Sequence, residues 1–564
     1  MIPLWFSIAL PTTGAGLLCI LVAGLTLAIH APLTLKTILL ARDDRWLTAP
    51  LKDVHDFRSW WELIRTGNLP DFQPLRDLSY WIDWRISEVI GSGPYFHFTN
   101  LLIWWGILAL VWRISAKAMN RSTNAPAWIV VLMALHPVAV EPVAWVSGRK
   151  HLLSVLFMLG ATIQLMSATK RRKITCLQSA AIVTMFLACC MSQPINILWP
   201  AWATLYIVAN CEQDWIRANR ASLALLFAGL AVCSTATFMI NMTVYQGTTW
   251  FGFKLSPHAE LYGQKIGGLR SDEIGISLLA LGRYFFNLIL PVKIAHRYAP
   301  GTFANLAGLL MIPVVAWAGW RLDETRRAFF LWALHATLPL LVVTLQLSQI
   351  FVADSYALSA MPGFMIAAAI LVTNIKIDMR RIRYFAVAVC GMLLANSMAI
   401  ARSWTATDKL WFRADEVEET ADSIYFTGTY LLKSGQNDEA LARAMRLIDV
   451  SGMNPKAIRL VAFSICDHPR LTPQEKRAHF DRLEINDMPP VLDCLAGMHE
   501  SRGEYDDAAR IIIDIARKDP VYLQAEMASG MERLRKSCAQ AATNKSQCDL
   551  VLRALGKKEV QDGN

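Results

Sequence analysis

Long apolar segments alternate with short polar ones along the first 400 residues and predict a helical membrane protein. About 20 apolar residues are needed to cross roughly 30 Å of hydrocarbon. Windows of this kind lie near residues 10–33, 97–115, 125–142, 151–168, 174–192, 195–210, 221–241, 304–321, 328–346, 357–374 and 383–401. The pattern therefore predicts an all-α, polytopic membrane protein with about eleven transmembrane helices.

The segment 277–292 is apolar but ambiguous, and the distribution of charge decides its placement. If it spans, the basic loops divide between the two sides of the membrane. If it lies flat at the interface, they all fall on one side, as the positive-inside rule expects. These loops are Lys117–Arg121, Lys170–Lys173, Arg217–Arg220, Arg321–Arg327 and Lys376–Arg383. We therefore expect an interfacial helix at 277–292.

This topology places a second set of loops outside the cytoplasm and leaves Cys211 on the cytoplasmic side. No small-residue cleavage site follows the first apolar segment, so we expect that segment to be retained as a helix. The outer segments are the loop from Asp43 to Tyr95, the 143–150 loop, the 242–303 loop, the 347–356 turn and everything after Arg402.

The first outer loop contains an amphipathic stretch. Leu75, Leu78, Ile82 and Ile86 recur at helical spacing after Pro74 and predict a helix that lies on the bilayer surface. The alternative is an ordinary connecting helix, which would need no such apolar stripe.

After Arg402 the composition becomes soluble and mixed in charge, which predicts a transmembrane domain at 1–402 and a second domain at 403–564. Two similar helical hairpins carry glycines Gly435 and Gly503, which are 68 residues apart, or twice the 34-residue period of a tetratricopeptide (TPR) repeat. A degenerate middle repeat would turn near Pro469. Such helical solenoids usually bind other proteins.

Four cysteines fall in this second domain: Cys466, Cys494, Cys538 and Cys548. An even number in an oxidising compartment permits disulfides, and we expect at least one, with Cys538–Cys548 favoured because the two are close in sequence. No zinc-ligand spacing is present.

Composition supports the membrane interpretation. The chain is 54% hydrophobic and 18% charged, with a mean hydropathy of +0.34. Its net charge of +10 comes mostly from short loops between apolar segments, so it indicates topology and not a nucleic-acid-binding face.

Unusual polar residues concentrate at the outer ends of the apolar segments. Asp43 and Asp44 open the first outer loop, and His136, Glu141, Arg149 and Lys150 follow at the end of a later span. Ionisable groups at membrane depth are costly and suggest a functional site. The structural alternatives are a pair of helix-capping acids and a helix end with Arg and Lys reaching the surface. Gln193, Arg297 and Asp354 lie in further outer loops, and we expect all these loops to fold into one site.

The order of these motifs resembles the bacterial members of the TMTC-type (transmembrane and TPR) O-mannosyltransferase family, of the GT-C class of membrane glycosyltransferases. The most specific part of the resemblance is the stretch from Ala134 to Lys150, which reads ALHPVAVEPVAWVSGRK. The other matching segments are Asp43-Asp44 with Thr48, Gln73-Pro-Leu with Leu78-Ser, His97–Leu102, Ser192-Gln-Pro194 with Pro200, Leu290–Tyr298, Ala353–Tyr356 with Pro362, and the helical tail. The chain departs from the family pattern at Gln193, His151 and Ser355, where Lys, Asp and Arg are usual.

The resemblance implies a multi-pass protein of the bacterial inner membrane with a periplasmic C-terminal domain. It implies transfer of a sugar from a polyprenyl-phosphate donor to a hydroxyl of a protein or glycan acceptor, with inversion at the anomeric carbon, and the TPR-like domain is a candidate for recruiting the acceptor. An attacking hydroxyl needs one base, and a phosphate leaving group needs cations and no proton donor. No cofactor is required, although Asp43, Asp44 and Glu141 together offer ligands for a divalent cation.

By resemblance, Asp43 is the catalytic base and Asp44 supports it. Glu141 and Trp145 orient the acceptor. The residues expected to bind the donor phosphate or lipid are His136, Arg149, Lys150, Arg297, Tyr298, Asp354 and Tyr356.

Two other functions compete with a glycosyltransferase. A secondary transporter would place its ionisable residues near the bilayer midplane in two related halves, whereas here they lie at outer helix ends and no half-repeat is visible. A non-catalytic scaffold that binds partners through the helical repeats would leave the outer acids and cations unexplained.

Overall fold

The structure, a computed structural model, describes residues 12–34, 39–40, 44–65, 72–119, 124–246, 274–321, 325–346, 352–373, 379–519, 522, 530–541 and 547–548. These residues form helices and contain no strand, which confirms the all-α prediction. Contacts divide the chain into two compact units, Met1–Glu418 and Glu419–Asn564.

The first unit contains long apolar helices separated by short polar ones. Its helices are α1 (Thr12–Thr34), α2 (Asp44–Thr48), α3 (Phe57–Arg65), α4 (Pro74–Ile90), α5 (Phe96–Ala118), α6 (Ala125–Leu135), α7 (Val140–Ala144), α8 (Arg149–Ala168), α9 (Cys176–Ser192), α10 (Trp199–Asn210), α11 (Gln213–Ala218), α12 (Arg220–Gln246), α13 (Ile274–Ile289), α14 (Phe303–Trp320), α15 (Arg326–Gln346), α16 (Asp354–Ala357), α17 (Met361–Thr373), α18 (Met379–Ser403) and α19 (Thr407–Val417).

Each of the eleven apolar windows contains a helix within the residues that the structure describes. Within the described residues, six helices are long and apolar enough to cross a membrane. A seventh is the pair α6 and α7 if it counts as one span, although it bends by 58° between Leu135 and Pro137. The window 125–142 is therefore not one straight helix. Pro137 lacks a backbone N–H and disfavours a helical conformation at His136, which ends α6 there.

The segment predicted at 277–292 forms α13, which packs closely on α14. A Cβ atom added to Gly308 would lie 1.8 Å from the carbonyl oxygen of Gly282, and one added to Gly282 would lie 2.1 Å from that of Asn305. The two backbones therefore touch through glycines, and larger residues would separate the helices.

The predicted amphipathic helix is present as α4, extended to Ile90. The apolar side chains of Ile82, Ile86, Val89 and Ile90 are exposed. Its opposite face is buried, and that face is polar: Arg76, Asp77, Tyr80, Asp83 and Ser87. A helix with a buried polar face and an exposed apolar face fits a position between protein and lipid.

The second unit is a series of helical hairpins. Its helices are α20 (Ala421–Lys433), α21 (Asn437–Ser451), α22 (Pro455–Cys466), α23 (Pro473–Arg482), α24 (Pro489–Ser501), α25 (Tyr505–Lys518) and α26 (Gly530–Gln540). Gly435 and Gly503 occupy equivalent turns after α20 and α24, with φ of 76° and 75°. This left-handed conformation at a helix C-terminus favours glycine, so the 68-residue spacing marks two similar hairpins.

Disulfides join Cys466 to Cys494 and Cys538 to Cys548. The first links α22 to α24 across a sequence separation of 28 residues, and the second closes a separation of 10 residues. The predicted Cys538–Cys548 pair is confirmed.

Candidate active site

Asp44 is held inside the protein by a loop that lies about 100 residues later. Its Oδ1 atom accepts hydrogen bonds from the Ser147 backbone N–H at 3.0 Å and the Ser147 hydroxyl at 2.7 Å. Its Oδ2 atom accepts one from the Leu40 N–H at 3.1 Å. Only 1% of Asp44 is exposed. The structure thus joins the segment that begins at Asp44 to the 134–150 motif. Asp43 lies outside the described residues.

The loop that carries Ser147 is a tight one. After the break at His136, two short helical turns and α7 bring the chain back against itself, and Gly148 rests on Pro142. A Cβ atom at Gly148 would lie 2.5 Å from the Pro142 carbonyl oxygen. His136 caps this loop, because its Nδ1 accepts from the Val138 N–H at 3.3 Å.

Arg149 lies at the centre of a buried network. Its Nε donates to the Asn100 Oδ1 at 2.8 Å, and one terminal nitrogen lies 2.7 Å from the Asp83 carboxylate. The same nitrogen donates to the Phe96 carbonyl at 2.8 Å, and the other donates to the Ser79 carbonyl at 3.2 Å. The guanidinium is fully buried, and all three of its nitrogen atoms contact acceptors of the protein.

Tyr80 connects this network to the Asp44 loop. The Tyr80 hydroxyl donates to the Val146 carbonyl at 2.8 Å, and the Arg149 guanidinium lies 4.7 Å from the centre of its ring. Burial raises the pKa of Tyr80, so its hydroxyl remains a donor. Asn100 also donates to the Trp145 carbonyl at 2.9 Å. The 145–149 segment is therefore fixed from α4 and α5.

Lys150 differs from Arg149 because its side chain is only half-buried. Its ammonium lies 5.7 Å from the centre of the Trp145 ring. Among the described residues, no carboxylate lies within ion-pair distance of it. A cation held on an aromatic face keeps most of its charge available to a ligand.

A second cluster surrounds Asp354, at the start of α16. The Tyr298 hydroxyl donates a short hydrogen bond to its Oδ2, and the Asn287 amide donates to its Oδ1 at 2.8 Å. The Arg283 guanidinium lies over the Tyr298 ring at 4.0 Å, donates to Asn287 at 3.0 Å and pairs with Glu418. This cluster joins α13, the 290–302 loop and α16.

The electrostatics of Asp354 depend on Glu141. Burial, with the negative charge of Glu141 as the second cause, raises the pKa of Asp354 from 3.8 to about 7. The structure therefore brings the 134–150 motif close to the predicted Asp354 segment. Near neutral pH, Asp354 is protonated in a substantial fraction of molecules, which lowers the cost of two buried acids in one place.

A third group links the start of α4 to Gln193. The Gln73 amide donates to Gln193 Oε1 at 2.6 Å, and Gln73 Oε1 accepts from Arg76 at 3.1 Å. Arg76 pairs with Asp77 at 2.7 Å. Gln193, where the resemblance leads one to expect Lys, is thus part of an amide and guanidinium network in which the cation comes from α4.

The remaining predicted residues lie beside these groups. The His136 Nε2 faces the Leu288 carbonyl at 3.3 Å, next to Asn287. The Tyr356 ring meets His151 edge-on at 4.8 Å. Arg297 is half-buried and donates to the His296 carbonyl at 3.3 Å.

Sequence reasoning missed Arg283 and Asn287, because they lie in an apolar helix. Their spacing of four residues puts both on one helix face, and two such polar side chains in an otherwise apolar segment were a usable signal. It also missed Asp83 and Asn100, whose roles depend on contacts with Arg149.

Three acids were expected to offer ligands for a divalent cation. Asp44 and Glu141 lie in the first unit, and Asp43 lies outside the described residues. In the second unit, His499, Glu504 and Asp507 are the one described group of three whose ligand atoms lie within 4.8 Å of one another. Ion pairs already account for this group, because Glu504 pairs with His499 at 2.6 Å and Asp507 with Arg510 at 2.7 Å.

An all-helical chain with several helices long enough to span a bilayer, and with buried ionisable residues between them, is characteristic of a membrane protein with an internal polar site. The chain is similar to a protein O-mannosyl-transferase of Caenorhabditis elegans, with 20% identity over 417 residues. The match covers 69% of this chain and 55% of the relative, so the chain spans about half the relative's length. No protein-family model matches the chain. The similarity supports a glycosyltransferase.

Proposed function

We propose that this protein is a GT-C-type membrane glycosyltransferase that moves a sugar from a polyprenyl-phosphate donor to a hydroxyl of a protein or glycan acceptor on the extracytoplasmic face. The observation that carries the proposal is the bonding of Asp44 to Ser147, at 3.0 Å and 2.7 Å. This contact joins the paired acids to the motif that most closely resembles the TMTC-type family. Similarity to an O-mannosyl-transferase supports the same class and suggests mannose as the first sugar to test.

In the proposed mechanism, Asp43 takes the proton from the acceptor hydroxyl as it attacks the anomeric carbon, and the sugar–phosphate bond breaks. Asp44 positions Asp43. Its carboxylate already accepts hydrogen bonds from Ser147 and Leu40, and these contacts hold it in place. The lipid phosphate leaves as an anion and needs cations and no proton donor.

The half-buried cations Lys150 and Arg297 are the proposed phosphate ligands. Arg149 is proposed to act indirectly, because its buried guanidinium faces Asp83, Asn100 and two carbonyl groups. It would fix the loop that presents Trp145 and Lys150. Tyr298, with Asp354 as its acceptor, would hold the 290–302 loop against the donor.

We further propose eleven spans, with the second unit outside the cytoplasm as a TPR-like domain that recruits the acceptor. Its two disulfides support this location, because such bonds persist in oxidising compartments. The repeated hairpins at Gly435 and Gly503 support a repeat architecture.

The test is a transfer assay with the purified full-length protein and polyprenyl-phosphate-linked mannose, glucose and N-acetylglucosamine, scored by sugar incorporation into acceptor proteins of the same membrane. Lipids that co-purify would be identified by mass spectrometry. Transfer from one of these donors is expected. The proposal fails if a monodisperse preparation transfers none of them and retains no polyprenyl-phosphate species.

A further inference from the structure

A deep apolar groove of about 450 Å³ lies between α13, α14, α15 and α17. Its volume falls in the range of pockets that hold small molecules. Phe285, Ile289, Phe329 and Phe364 are among the apolar side chains that form its walls. The Thr337 hydroxyl, which also lines it, donates to the Ala333 carbonyl at 2.8 Å and offers little polarity. Such a wall suits a hydrocarbon chain.

One end of the groove is basic and aromatic. Arg326 and Trp320 line it there, and the Arg326 guanidinium lies 4.7 Å from the centre of the Trp320 ring. The Arg321 guanidinium, directly after α14, lies 5.2 Å from the centre of the Trp317 ring. Tryptophans at helix ends favour the headgroup level of a bilayer, and arginines there favour anionic headgroups.

The charge balance at this end is positive. The connection 321–327 contains three arginines and two acidic residues.

The basic end is remote from the candidate active site. α14 starts at Phe303, directly after the 290–302 loop, and its 18 residues extend about 27 Å at about 1.5 Å per residue. A headgroup at Arg321 therefore lies about a helix length from Tyr298. Phe285 and Ile289, which also line the groove, belong to α13, the helix that carries Arg283 and Asn287.

We propose that the groove holds one acyl chain of an anionic glycerophospholipid, with its phosphate against Arg321 and Arg326 and its chain against α13. The site is distinct from the donor site because its charged end lies at the opposite ends of α14 and α15. The bound chain packs against the apolar side of the helix whose polar residues hold Asp354.

The test measures binding by native mass spectrometry on the full-length protein, delipidated in detergent, with dioleoyl phosphatidylglycerol and dioleoyl phosphatidylcholine. The proposal expects tighter binding of phosphatidylglycerol. The double change Arg321→Gln and Arg326→Gln should weaken that binding by roughly 30-fold, at about fivefold for each arginine. The matched control is Arg171→Gln with Arg172→Gln, two exposed arginines on another basic loop, and it should leave binding unchanged.

A second measurement locates the chain. Phosphatidylglycerol with a photoactivatable acyl chain should crosslink to peptides of α13, α14, α15 or α17, and Ala368→Phe, which fills the groove, should abolish that crosslink. Crosslinks confined to other helices, equal binding of both lipids, or an unchanged affinity in the double-glutamine variant would overturn the proposal. Displacement of the crosslinked lipid by polyprenyl phosphate would instead assign the groove to the donor and also overturn it. None of these readouts requires transferase activity.

Discussion

Asp44 and Ser147 are joined by two hydrogen bonds to one carboxylate oxygen, at 3.0 Å and 2.7 Å, across 103 residues of sequence. Leu40 supplies a third donor to the other oxygen. The acid is therefore a structural centre of the site.

Asp44→Asn should lower the stability of the protein. An amide has one acceptor oxygen, so its NH₂ group would face a backbone N–H in a buried place, at a cost of roughly 1–3 kcal/mol. Ser147→Ala removes only one donor and should cost about 1 kcal/mol. Thermal unfolding in detergent measures both, with the exposed Asp53→Asn as control. A midpoint for Asp44→Asn equal to that of the wild type would contradict this assignment.

Asp43→Asn should abolish most turnover while the protein remains folded. Removing a general base costs about 10²–10⁴-fold in rate, whereas binding of the donor should change little. Lys150→Ala should instead weaken donor binding, because it removes a cation from the proposed phosphate site. Transfer rates and donor-lipid binding would be measured for both variants. Wild-type turnover in a folded Asp43→Asn protein would end its role as base.

Arg149→Ala should act mainly on folding. It leaves the Asp83 carboxylate buried without its 2.7 Å partner, a change that typically costs about 3–5 kcal/mol. Purified yield and unfolding midpoint should both fall, and Lys150→Ala serves as the neighbouring control because that side chain is only half-buried. Loss of donor affinity in an Arg149→Ala protein of normal stability would favour a direct phosphate contact instead.

The raised pKa of Asp354 predicts a pH-dependent stability. Because burial and Glu141 raise this pKa from 3.8 to about 7, the folded protein binds more protons than the unfolded chain between these values. The contribution of Asp354 to stability is therefore complete below about pH 4 and is lost as pH rises toward 7. Asp354→Asn should flatten this part of the profile. Unfolding midpoints at pH 5 and pH 7.5 test it, and parallel profiles for wild type and variant would refute the prediction.

Gly148→Ala should disrupt the loop under Trp145. The added methyl group would lie 2.5 Å from the Pro142 carbonyl oxygen. This oxygen belongs to the backbone, which cannot move aside as easily as the end of a flexible side chain. A cost of roughly 1–3 kcal/mol is expected. Gly391→Ala is the matched control, because nothing lies within 4 Å of the Cβ it would add. Equal unfolding midpoints for the two variants would show that the loop can open at little cost.

The sequence predicted the helical class, the positions of the apolar helices and the meeting of the 134–150 motif with Asp44 and Asp354. It did not predict the break at Pro137, because a hydropathy window averages over a bend. It also could not show whether Arg149 binds a ligand or a protein group. A guanidinium that binds phosphate and one that is paired with Asp83 and Asn100 cannot be distinguished from the sequence. Contacts over 49 to 70 residues decide between them.

The partners of Arg149 also fix an order of biogenesis. Ser79, Asp83, Phe96 and Asn100 all precede it in the chain, so a ribosome delivers every acceptor before α8 emerges. The Asp354 cluster is completed in the same way but later, because Asp354 follows its partners Asn287 and Tyr298 in the chain. A nascent chain thus completes the part of the site around Asp44 and Arg149 before the part around Asp354.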